Sequence, residues 1–242
     1  MNRHVVVGAV AAAALVGLAA ASVLGGRRDT TALAPSAPLG APPTGAVAAA
    51  AGNPFGAQAD DLMLAARTKG SAQAPIVIYE VSDFQCPFCR QFWAETLPAL
   101  EREYINTGKA RLTYLNFPIP QLHANAQPAH EAAMCAAQQD KFWRMHDLLY
   151  QHQEAWARLP DPVPYFLGLA DSARADREAV AACLAAGRIR QLVQGEAQAS
   201  WNAGVRSTPS FIVQGLLLAG TAPIGDFRPI LDSIYASRSE RR

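Results

Sequence analysis

A strand that leads directly into a Cys-x-x-Cys helix start constrains the fold of this chain more than any other feature. Residues 75–81 form a β-branched apolar run of strand length, and its lack of alternation is typical of a strand buried on both faces. A helical pattern begins at Cys86 and ends near Gly108, and residues 110–117 again have strand composition. The order strand, helix, strand favours a right-handed parallel crossover, so we predict an α/β fold.

The middle of the chain is predicted to be helical. Residues 123–203 have little strand composition, and their apolar side chains recur at helical spacing. We expect one helix to run through residues 132–149 and another through residues 180–184. The three prolines of residues 160–164 are expected to break the helices between them.

Strand signals return only near the end of the chain. Residues 209–213 and 216–219 are apolar and flank Gln214 and Gly215, which is a hairpin pattern. A last helix is expected over residues 224–235.

The amino-terminal segment has the composition of an export signal. Residues 5–26 carry no charge and follow a short basic start, which is typical of a secretory signal. These 22 residues would also form a helix of about 33 Å, long enough to cross a bilayer core of about 30 Å. Residues 1–28 are therefore predicted to be either a signal peptide or a retained membrane anchor, and both remain open.

Residues 29–59 are predicted to be a linker. From Thr30 to Ala59 there is no Asp, Glu, Lys or Arg, and the stretch is rich in alanine and proline. Such a segment has too little apolar area and too few backbone donors to form a core. The folded domain is therefore expected to span residues 60–242 and to begin with a short helix at residues 60–67.

The overall charge and the cysteine count exclude two classes of protein. The chain has 21 basic and 20 acidic residues, whereas a nucleic-acid-binding protein normally has a strong basic excess. Four cysteines in 242 residues are too few for a small disulfide-framework protein. We therefore predict no nucleic-acid partner and a core built from apolar side chains.

The chemistry of the chain is predicted to lie at Cys86-Pro87-Phe88-Cys89. Two cysteines with two residues between them can close a small disulfide ring. Unpaired N–H groups and the dipole at a helix start favour an anion, so we expect Cys86 to be the exposed attacking thiolate and Cys89 to resolve a mixed disulfide. Pro87 suits the first helical turn, whereas Phe88 brings neither charge nor donor. The pKa of Cys86 is expected below the free value of about 8.5 but not at the extreme of the known range.

Other interpretations of the cysteine pair remain open. Cys135 and Cys183 could complete a structural zinc site, although zinc modules usually present a second close pair and these two cysteines are 48 residues apart. A purely structural disulfide is the second alternative, and the strand-to-helix setting argues against it. A metal-binding module that handles copper with the same two thiols is the alternative from another class.

Residues 79–89 resemble the DsbA-like branch of the thioredoxin superfamily. Residues 204–211 (Gly-Val-Arg-Ser-Thr-Pro-Ser-Phe) and 141–147 (Lys-Phe-Trp-Arg-Met-His-Asp) are similar to the same family. The combined pattern covers about residues 74–235. The resemblance implies a thioredoxin fold with an inserted helical cap domain at about residues 123–203.

The resemblance also implies roles for residues outside the dithiol. In this family a threonine–proline pair precedes a strand, and the proline is cis and packs beside the active-site disulfide; here the pair is Thr208 and Pro209. Glu80, six residues before Cys86, corresponds to a buried acid that assists proton movement at the deeper cysteine. Ser207 stands where many relatives have glycine, a departure that we expect to be tolerated.

Two interpretations apply to the remaining cysteines. Cys135 and Cys183 each lie on an apolar helical face, which is compatible with two buried free thiols. In an exported chain, oxidising conditions favour pairing. Some relatives carry a cap disulfide at similar positions, so the resemblance implies a structural Cys135–Cys183 disulfide.

The function implied by the resemblance is extracytoplasmic thiol:disulfide exchange. We expect an oxidase that donates its disulfide to thiols of exported proteins, needs no cofactor or metal, and is recycled by a membrane redox partner. Its location would be the periplasm or the outer face of the cytoplasmic membrane. A reductase or isomerase of the same fold is the alternative; isomerases usually dimerise, and we see no separate dimerisation module, so a monomer is expected.

The histidines give no metal-site signal. None has the spacing of a metal motif with a nearby carboxylate and an open position. We expect solvated or capping roles for His123, His130, His146 and His152.

Overall fold

The structure is a computed structural model in which residues 61–239 are described. The predicted signal peptide or anchor at residues 1–28 and the predicted linker at residues 29–59 lie outside the described residues. Between residues 61 and 239 no helix is both long enough and apolar enough to cross a membrane. The first described element is helix α1 (Asp61–Ala66), close to the predicted short helix.

A five-stranded mixed sheet lies at the centre of the described part. Its order is β1-β3-β2-β4-β5, where β2 and β3 are parallel and every other neighbouring pair is antiparallel. The parallel pair is the predicted crossover. The strands are β1 (Thr68–Lys69), β2 (Ile76–Ser82), β3 (Ala110–Asn116), β4 (Ser210–Val213) and β5 (Leu216–Ala219).

The connection between β2 and β3 is a long helix with two π-helical stretches. Pro98 lies inside this helix, where its missing N–H removes one bond from the helical ladder. Gly108, with a φ of 75°, follows the helix and turns the chain towards β3. The segments are α2 (Pro87–Gln91), π1 (Phe92–Thr96), α3 (Leu97–Leu100) and π2 (Glu101–Ile105).

The predicted helical block lies between β3 and β4. Its helices are α4 (Ala126–Ala137), α5 (Phe142–Gln151), α6 (Gln153–Trp156), α7 (Val163–Ser172), α8 (Arg177–Ala186) and α9 (Arg188–Asn202). The prediction of one helix through residues 132–149 is wrong, because the chain turns between α4 and α5 at Asp140, which has a φ of 57°. Pro164 does not break a helix; it occupies the first turn of α7, where no helical bond needs its N–H.

The chain ends with the predicted hairpin and helix. Gln214 and Gly215 connect β4 to β5 and have positive φ values of 51° and 84°, as a tight hairpin turn requires. Helix α10 (Ile224–Ser239) extends beyond the predicted end at residue 235.

The face of β2 that bears Ile76 and Ile78 defines where the site lies. Both side chains are fully buried against the β2–β3 helix and α10, through contacts that include Phe92 and Phe227. Side chains two residues apart point to the same side of a strand. Glu80 therefore continues this buried face towards the carboxyl end of β2, where the chain enters the Cys-x-x-Cys segment.

Candidate active site

Cys86 occupies the N-cap position of helix α2. Its backbone is extended (φ −70°, ψ 124°), and its N–H donates to the carbonyl oxygen of Asp83 at 3.1 Å. Pro87 fills the first helical position, where its missing N–H costs no hydrogen bond. The sulfur of Cys86 is thus placed at the end of the helix where backbone N–H groups have no helical partner.

The two thiols of the motif are free and have opposite pKa shifts. A hydrogen bond with the Cys89 thiol lowers the pKa of Cys86 to about 6, against the opposing effect of burial and with help from the Thr208 side chain and the N–H groups of Phe88 and Cys89. Burial raises the pKa of Cys89 well above its ordinary value, and Cys86 raises it further. The pair therefore holds one negative charge near neutral pH, and the charge resides on Cys86.

The loop before β4 reaches the same sulfur from the far end of the chain. When protonated, the Cys86 thiol donates to the carbonyl oxygen of Thr208 at 3.4 Å, and the Thr208–Pro209 peptide bond is cis. Antiparallel pairing places Ser210 opposite Val81, so this loop meets the carboxyl end of β2. The structure thus brings Cys86, Thr208 and Pro209 together.

Cys86 is less accessible than the sequence suggested. The residue is only 4% exposed, so the expectation of an exposed thiolate is wrong. The Thr208 loop covers the sulfur, and Gln153 of α6 donates to the carbonyl oxygens of Phe84 (2.7 Å) and Cys86 (3.1 Å). Phe88 is 58% exposed, so this side chain forms the outer surface of the motif.

A buried aspartate that the sequence analysis did not identify organises the turn before the dithiol. The Asp83 carboxylate accepts hydrogen bonds from the N–H groups of Gln85 (2.7 Å) and Ile119 (2.9 Å). The N–H of Asp83 donates to the sulfur of Cys89 at 3.4 Å. An aspartate that binds the N–H two residues later forms an Asx-turn, so the Asp-Phe-Gln sequence contained a local signal for this role.

His123 pairs with the same aspartate. Its Nδ1 lies 2.9 Å from Asp83 Oδ2, and this hydrogen bond raises the pKa of His123, with a smaller contribution from the charge on Cys86. The expectation of a solvated or capping histidine is wrong here, because the ring is tied to the active-site turn. The signal was absent from the local sequence, since 40 residues separate the two partners.

Glu80 is buried on β2 below the dithiol. It is 1% exposed and lies opposite Tyr114 of β3 in the parallel register. Burial raises the pKa of Glu80 to about 7, and the Ser82 hydroxyl and the charge of Lys69 partly offset this effect. The same Ser82 hydroxyl partly offsets the burial that raises the pKa of Cys89. A carboxyl group that titrates near neutral pH thus shares a hydroxyl neighbour with the deeper thiol.

His130 and His146 are fully buried, so solvated or capping roles are wrong for both. His130 donates from Nδ1 to Asn116 Oδ1 at 2.7 Å and accepts at Nε2 from the N–H of Phe84 at 3.4 Å. Burial lowers the pKa of His130 to about 4, so the ring is neutral. His130 therefore supports the active-site turn from the cap side.

A disulfide joins Cys135 of α4 to Cys183 of α8. Both cysteines pack in the cap core and are bonded to each other, so neither is available to complete a zinc site with the Cys86–Cys89 pair. Within the described residues, no group of three or more His, Cys, Asp or Glu side chains is arranged to hold a metal ion.

A family model and several known proteins match the sequence of this chain. A family model described as thioredoxin matches residues 64–233. The chain is 36% identical over 169 residues to the Na(+)/H(+) antiporter NhaA 3 of Salinispora tropica. The matched region covers 70% of this chain and 24% of the antiporter. The chain is also 38% identical over 85 residues to the probable disulfide bond formation protein D of Bacillus anthracis. This matched region covers 35% of this chain and 39% of that protein. The chain thus spans only about a quarter to two fifths of the length of these relatives.

Two solved structures resemble the described fold over most of their length. Alpha-DsbA1 of Wolbachia pipientis has a TM-score of 0.65 at 18% identity, covering 72% of this chain and 93% of that one. Oxidised BdbD from Bacillus subtilis has a TM-score of 0.64 at 18% identity, covering 70% of this chain and 92% of that one. At this level of identity the likeness concerns the fold.

Proposed function

Because the chain belongs to the thioredoxin family and is DsbA-like, we propose that it is a thiol:disulfide oxidoreductase that works outside the cytoplasm. We propose further that it is an oxidase, which introduces disulfides into exported proteins through Cys86 and Cys89. The antiporter's transport activity is not part of this proposal, because the chain spans 24% of that protein.

The observation that carries the proposal is the split between the two thiols. Cys86, at the helix start and against the Thr208 carbonyl, has a pKa lowered to about 6 chiefly by its hydrogen bond with Cys89. Burial raises the pKa of Cys89. A low pKa makes Cys86 a good leaving group from a mixed disulfide, because thiols of lower pKa leave faster.

The proposed reaction transfers two electrons from substrate to protein. A substrate thiolate attacks Cys86 Sγ, the Cys86–Cys89 bond breaks, and Cys89 leaves with the electron pair and takes up a proton. A second substrate thiolate attacks the substrate sulfur of the mixed disulfide and releases Cys86 as a thiolate. The substrate gains a disulfide, and the protein is left with one thiol and one thiolate.

The size of the pKa shift sets how far it favours the oxidase direction. A pKa of about 6 stabilises the reduced protein at pH 7 by about 1.4 kcal/mol, or about 30 mV for a two-electron couple. The reducing thioredoxin and the oxidising DsbA differ by about 150 mV. The thiolate thus favours an oxidase but supplies only part of the difference, and the rest of the support comes from the proposed location.

An oxidising compartment agrees with the second cysteine pair. The Cys135–Cys183 disulfide is of a kind that persists mainly in exported proteins, and residues 5–26 have the composition of an export signal. We propose thiols of exported chains as substrates, with the exposed Phe88 as an apolar contact for them, and a membrane redox partner that reoxidises the dithiol. We propose that the protein acts as a monomer.

The reduction potential of the Cys86–Cys89 couple tests the direction of exchange. The purified protein is equilibrated in glutathione buffers of graded ratio, and the fraction of this disulfide is counted by alkylation and peptide mass mapping. An oxidase predicts a potential clearly above that of thioredoxin, which is about −270 mV. A value close to that of thioredoxin would instead support the reductase.

A further inference from the structure

Buried polar atoms without a hydrogen-bond partner are concentrated on strands β2 and β3 and on helix α5. Among the described residues, five of them belong to four side chains there: both carboxylate oxygens of Glu80, the Tyr114 hydroxyl, Trp143 Nε1 and His146 Nε2. Burial raises the pKa of Glu80 and of Tyr114, and neighbouring hydroxyls offset this only in part. Because buried polar groups are almost always bonded, such a group of atoms indicates a polar path through the core or bridging water.

These side chains are contiguous. Glu80 and Tyr114 are direct neighbours in the β2–β3 register. The Tyr114 and His146 rings meet edge-on with centroids 5.4 Å apart, and Trp143 meets His146 at 5.0 Å. The four side chains thus form a continuous series from the sheet to helix α5, which we call the polar path.

His146 has one nitrogen inside this path and the other outside it. Nδ1 lies 2.9 Å from Asp147 Oδ1, and Asp147 also accepts from Trp93 Nε1 at 3.0 Å. Because a carboxylate only accepts, Nδ1 carries the hydrogen and Nε2 is left as an acceptor in the interior. The His146 side chain is fully buried, whereas that of Asp147 is 49% exposed. The imidazole therefore has a buried acceptor nitrogen, Nε2, on one side, and on the other side its Nδ1 contacts a carboxylate that reaches solvent.

The other buried histidine shows that this arrangement is not a general consequence of burial. His130 lies in the same aromatic cluster, 4.8 Å from the Phe84 ring, and has partners on both nitrogens. His146 is surrounded by more rings and lacks a partner on one nitrogen. Five aromatic rings have centroids within 6.0 Å of the His146 ring: Phe84, Tyr114, Phe142, Trp143 and Tyr150.

We propose that His146 and Asp147 form the outer part of a proton route that connects Glu80 with solvent. This inference rests on the proposed thiol:disulfide exchange. When the reduced protein is reoxidised, Cys86 in a mixed disulfide is attacked by the sulfur of Cys89, which must first lose its proton. Glu80 accepts that proton, His146 Nε2 receives it along the polar path as Nδ1 releases its own to Asp147, and Asp147 passes a proton to water.

The step is balanced in protons and electrons. Cys89 loses one proton and attacks Cys86 with its electron pair, the new Cys86–Cys89 bond forms, and the partner sulfur leaves as a thiolate with the electrons of the broken bond. Glu80, His146 and Asp147 each gain and lose one proton and end unchanged. In the opposite direction the same route supplies the proton that Cys89 takes up.

An ion pair on the other side of His146 offers a competing exit. The charged and titratable groups that face the ring are Asp147, Tyr114, Tyr150, Lys69 and Glu101. Lys69 pairs with Glu101, and its Nζ lies 4.5 Å from the centre of the Trp143 ring. Lys69 also lowers the raised pKa of Glu80, so it is close enough to serve the same carboxyl group. The experiment must therefore separate the two exits.

The test follows ring closure in the full chain. Reduced protein is mixed with oxidised glutathione, quenched with acid at intervals, and the mixed disulfide and the Cys86–Cys89 disulfide are counted by mass. Asp147→Asn keeps the acceptor for Nδ1–H but removes the proton-accepting carboxylate. We expect Asp147→Asn to slow ring closure at pH 7 by about tenfold, with unchanged formation of the mixed disulfide and a larger solvent isotope effect. His146→Phe, which keeps the aromatic packing, should have the same effect.

Matched variants make the result specific. Asp171 is 52% exposed and pairs with Arg177 away from this path, so Asp171→Asn should close at the wild-type rate. In a Glu80→Gln background, Asp147→Asn should cause no further slowing, because both act on one route. Wild-type closure in Asp147→Asn would overturn the proposal. If Lys69→Met slowed closure while Asp147→Asn did not, the exit would be assigned to Lys69 instead. If the wild-type protein formed no mixed disulfide at all, the proposed function would fail together with it.

Discussion

The two cysteine pairs of this protein contain the same side chains in opposite surroundings. Cys86 and Cys89 are separated by two residues at a helix start, where the Thr208 carbonyl contacts one sulfur and the Asp83 N–H contacts the other. Cys135 and Cys183 are 48 residues apart and fasten α4 to α8 within the core of the cap.

The difference shows that the surroundings, and not the thiol itself, assign the role. At the first pair, hydrogen bonds favour charge on Cys86 and burial opposes charge on Cys89, so the bond between them can open and close. At the second pair, the bridge closes a long loop of chain and restricts the unfolded state. We therefore expect substitutions in the two pairs to affect different quantities.

The largest effect is expected for Cys86→Ser. Removing the nucleophile should reduce disulfide exchange with a reduced model peptide to the uncatalysed rate. When Cys89→Ser is mixed with a disulfide-bonded peptide, its Cys86 thiolate attacks the peptide disulfide, one peptide thiolate leaves, and the mixed disulfide should accumulate because the resolving sulfur is missing. The Cys135→Ala/Cys183→Ala double variant is the control and should retain exchange at a temperature where it is folded. Turnover by Cys86→Ser would contradict the assignment of the nucleophile.

The cap variant should lose stability where the dithiol variants do not. For a loop closed across 48 residues, the chain-entropy relation gives about 4 kcal/mol. Urea unfolding of Cys135→Ala/Cys183→Ala should show a loss of this order, compared with Cys89→Ser as a protein that keeps the cap bridge. An unchanged unfolding midpoint would show that this bridge contributes little to the fold.

The stability of the protein should depend on pH through the ionisation of Glu80. Its pKa rises from about 4.5 to about 7 on folding because of burial, so folding keeps a proton that the unfolded chain releases. Below about pH 4.5 Glu80 is protonated in both states and does not lower the free energy of unfolding. As the pH rises to about 7, the Glu80 contribution lowers the free energy of unfolding by about 3 kcal/mol. Glu80→Gln cannot titrate, so its stability relative to wild type should increase by about that amount from pH 4 to pH 8.

The exposed Glu178 provides the control for this measurement. Urea unfolding of Glu178→Gln over the same pH range should follow the wild-type curve. If Glu80→Gln and wild type ran parallel as well, Glu80 would not be the carboxyl group that burial perturbs.

The sequence predicted those parts of the molecule that depend on local order along the chain. The predicted thioredoxin fold with its helical cap is confirmed. It could be predicted because β2, the Cys86 helix start and β3 have strong local sequence patterns. The burial of Glu80 was implied by the resemblance to DsbA-like proteins, and the structure agrees. The turn between α4 and α5 was missed, because apolar spacing continues across Asp140 while the backbone does not.

The polar contacts around the site were mostly beyond sequence reasoning. His130 is bonded to Asn116, and Asn116 is bonded to Glu196, 80 residues further along the chain. Glu196 in turn forms a buried ion pair with Arg67 at 2.6 Å. Pairings of this kind depend on how the cap folds onto the sheet, and no periodicity of apolar residues records them.

Ionisation of Cys86 is the property on which exchange depends, and titrating the reduced protein measures it directly. Thiolate absorbance near 240 nm is followed from acid to alkaline pH, with Cys86→Ser as the baseline. We predict that one sulfur ionises with a midpoint near pH 6 and that this transition is absent from Cys86→Ser. A first thiolate that formed only near the free value of about 8.5 would contradict the assignment of Cys86 as the activated nucleophile.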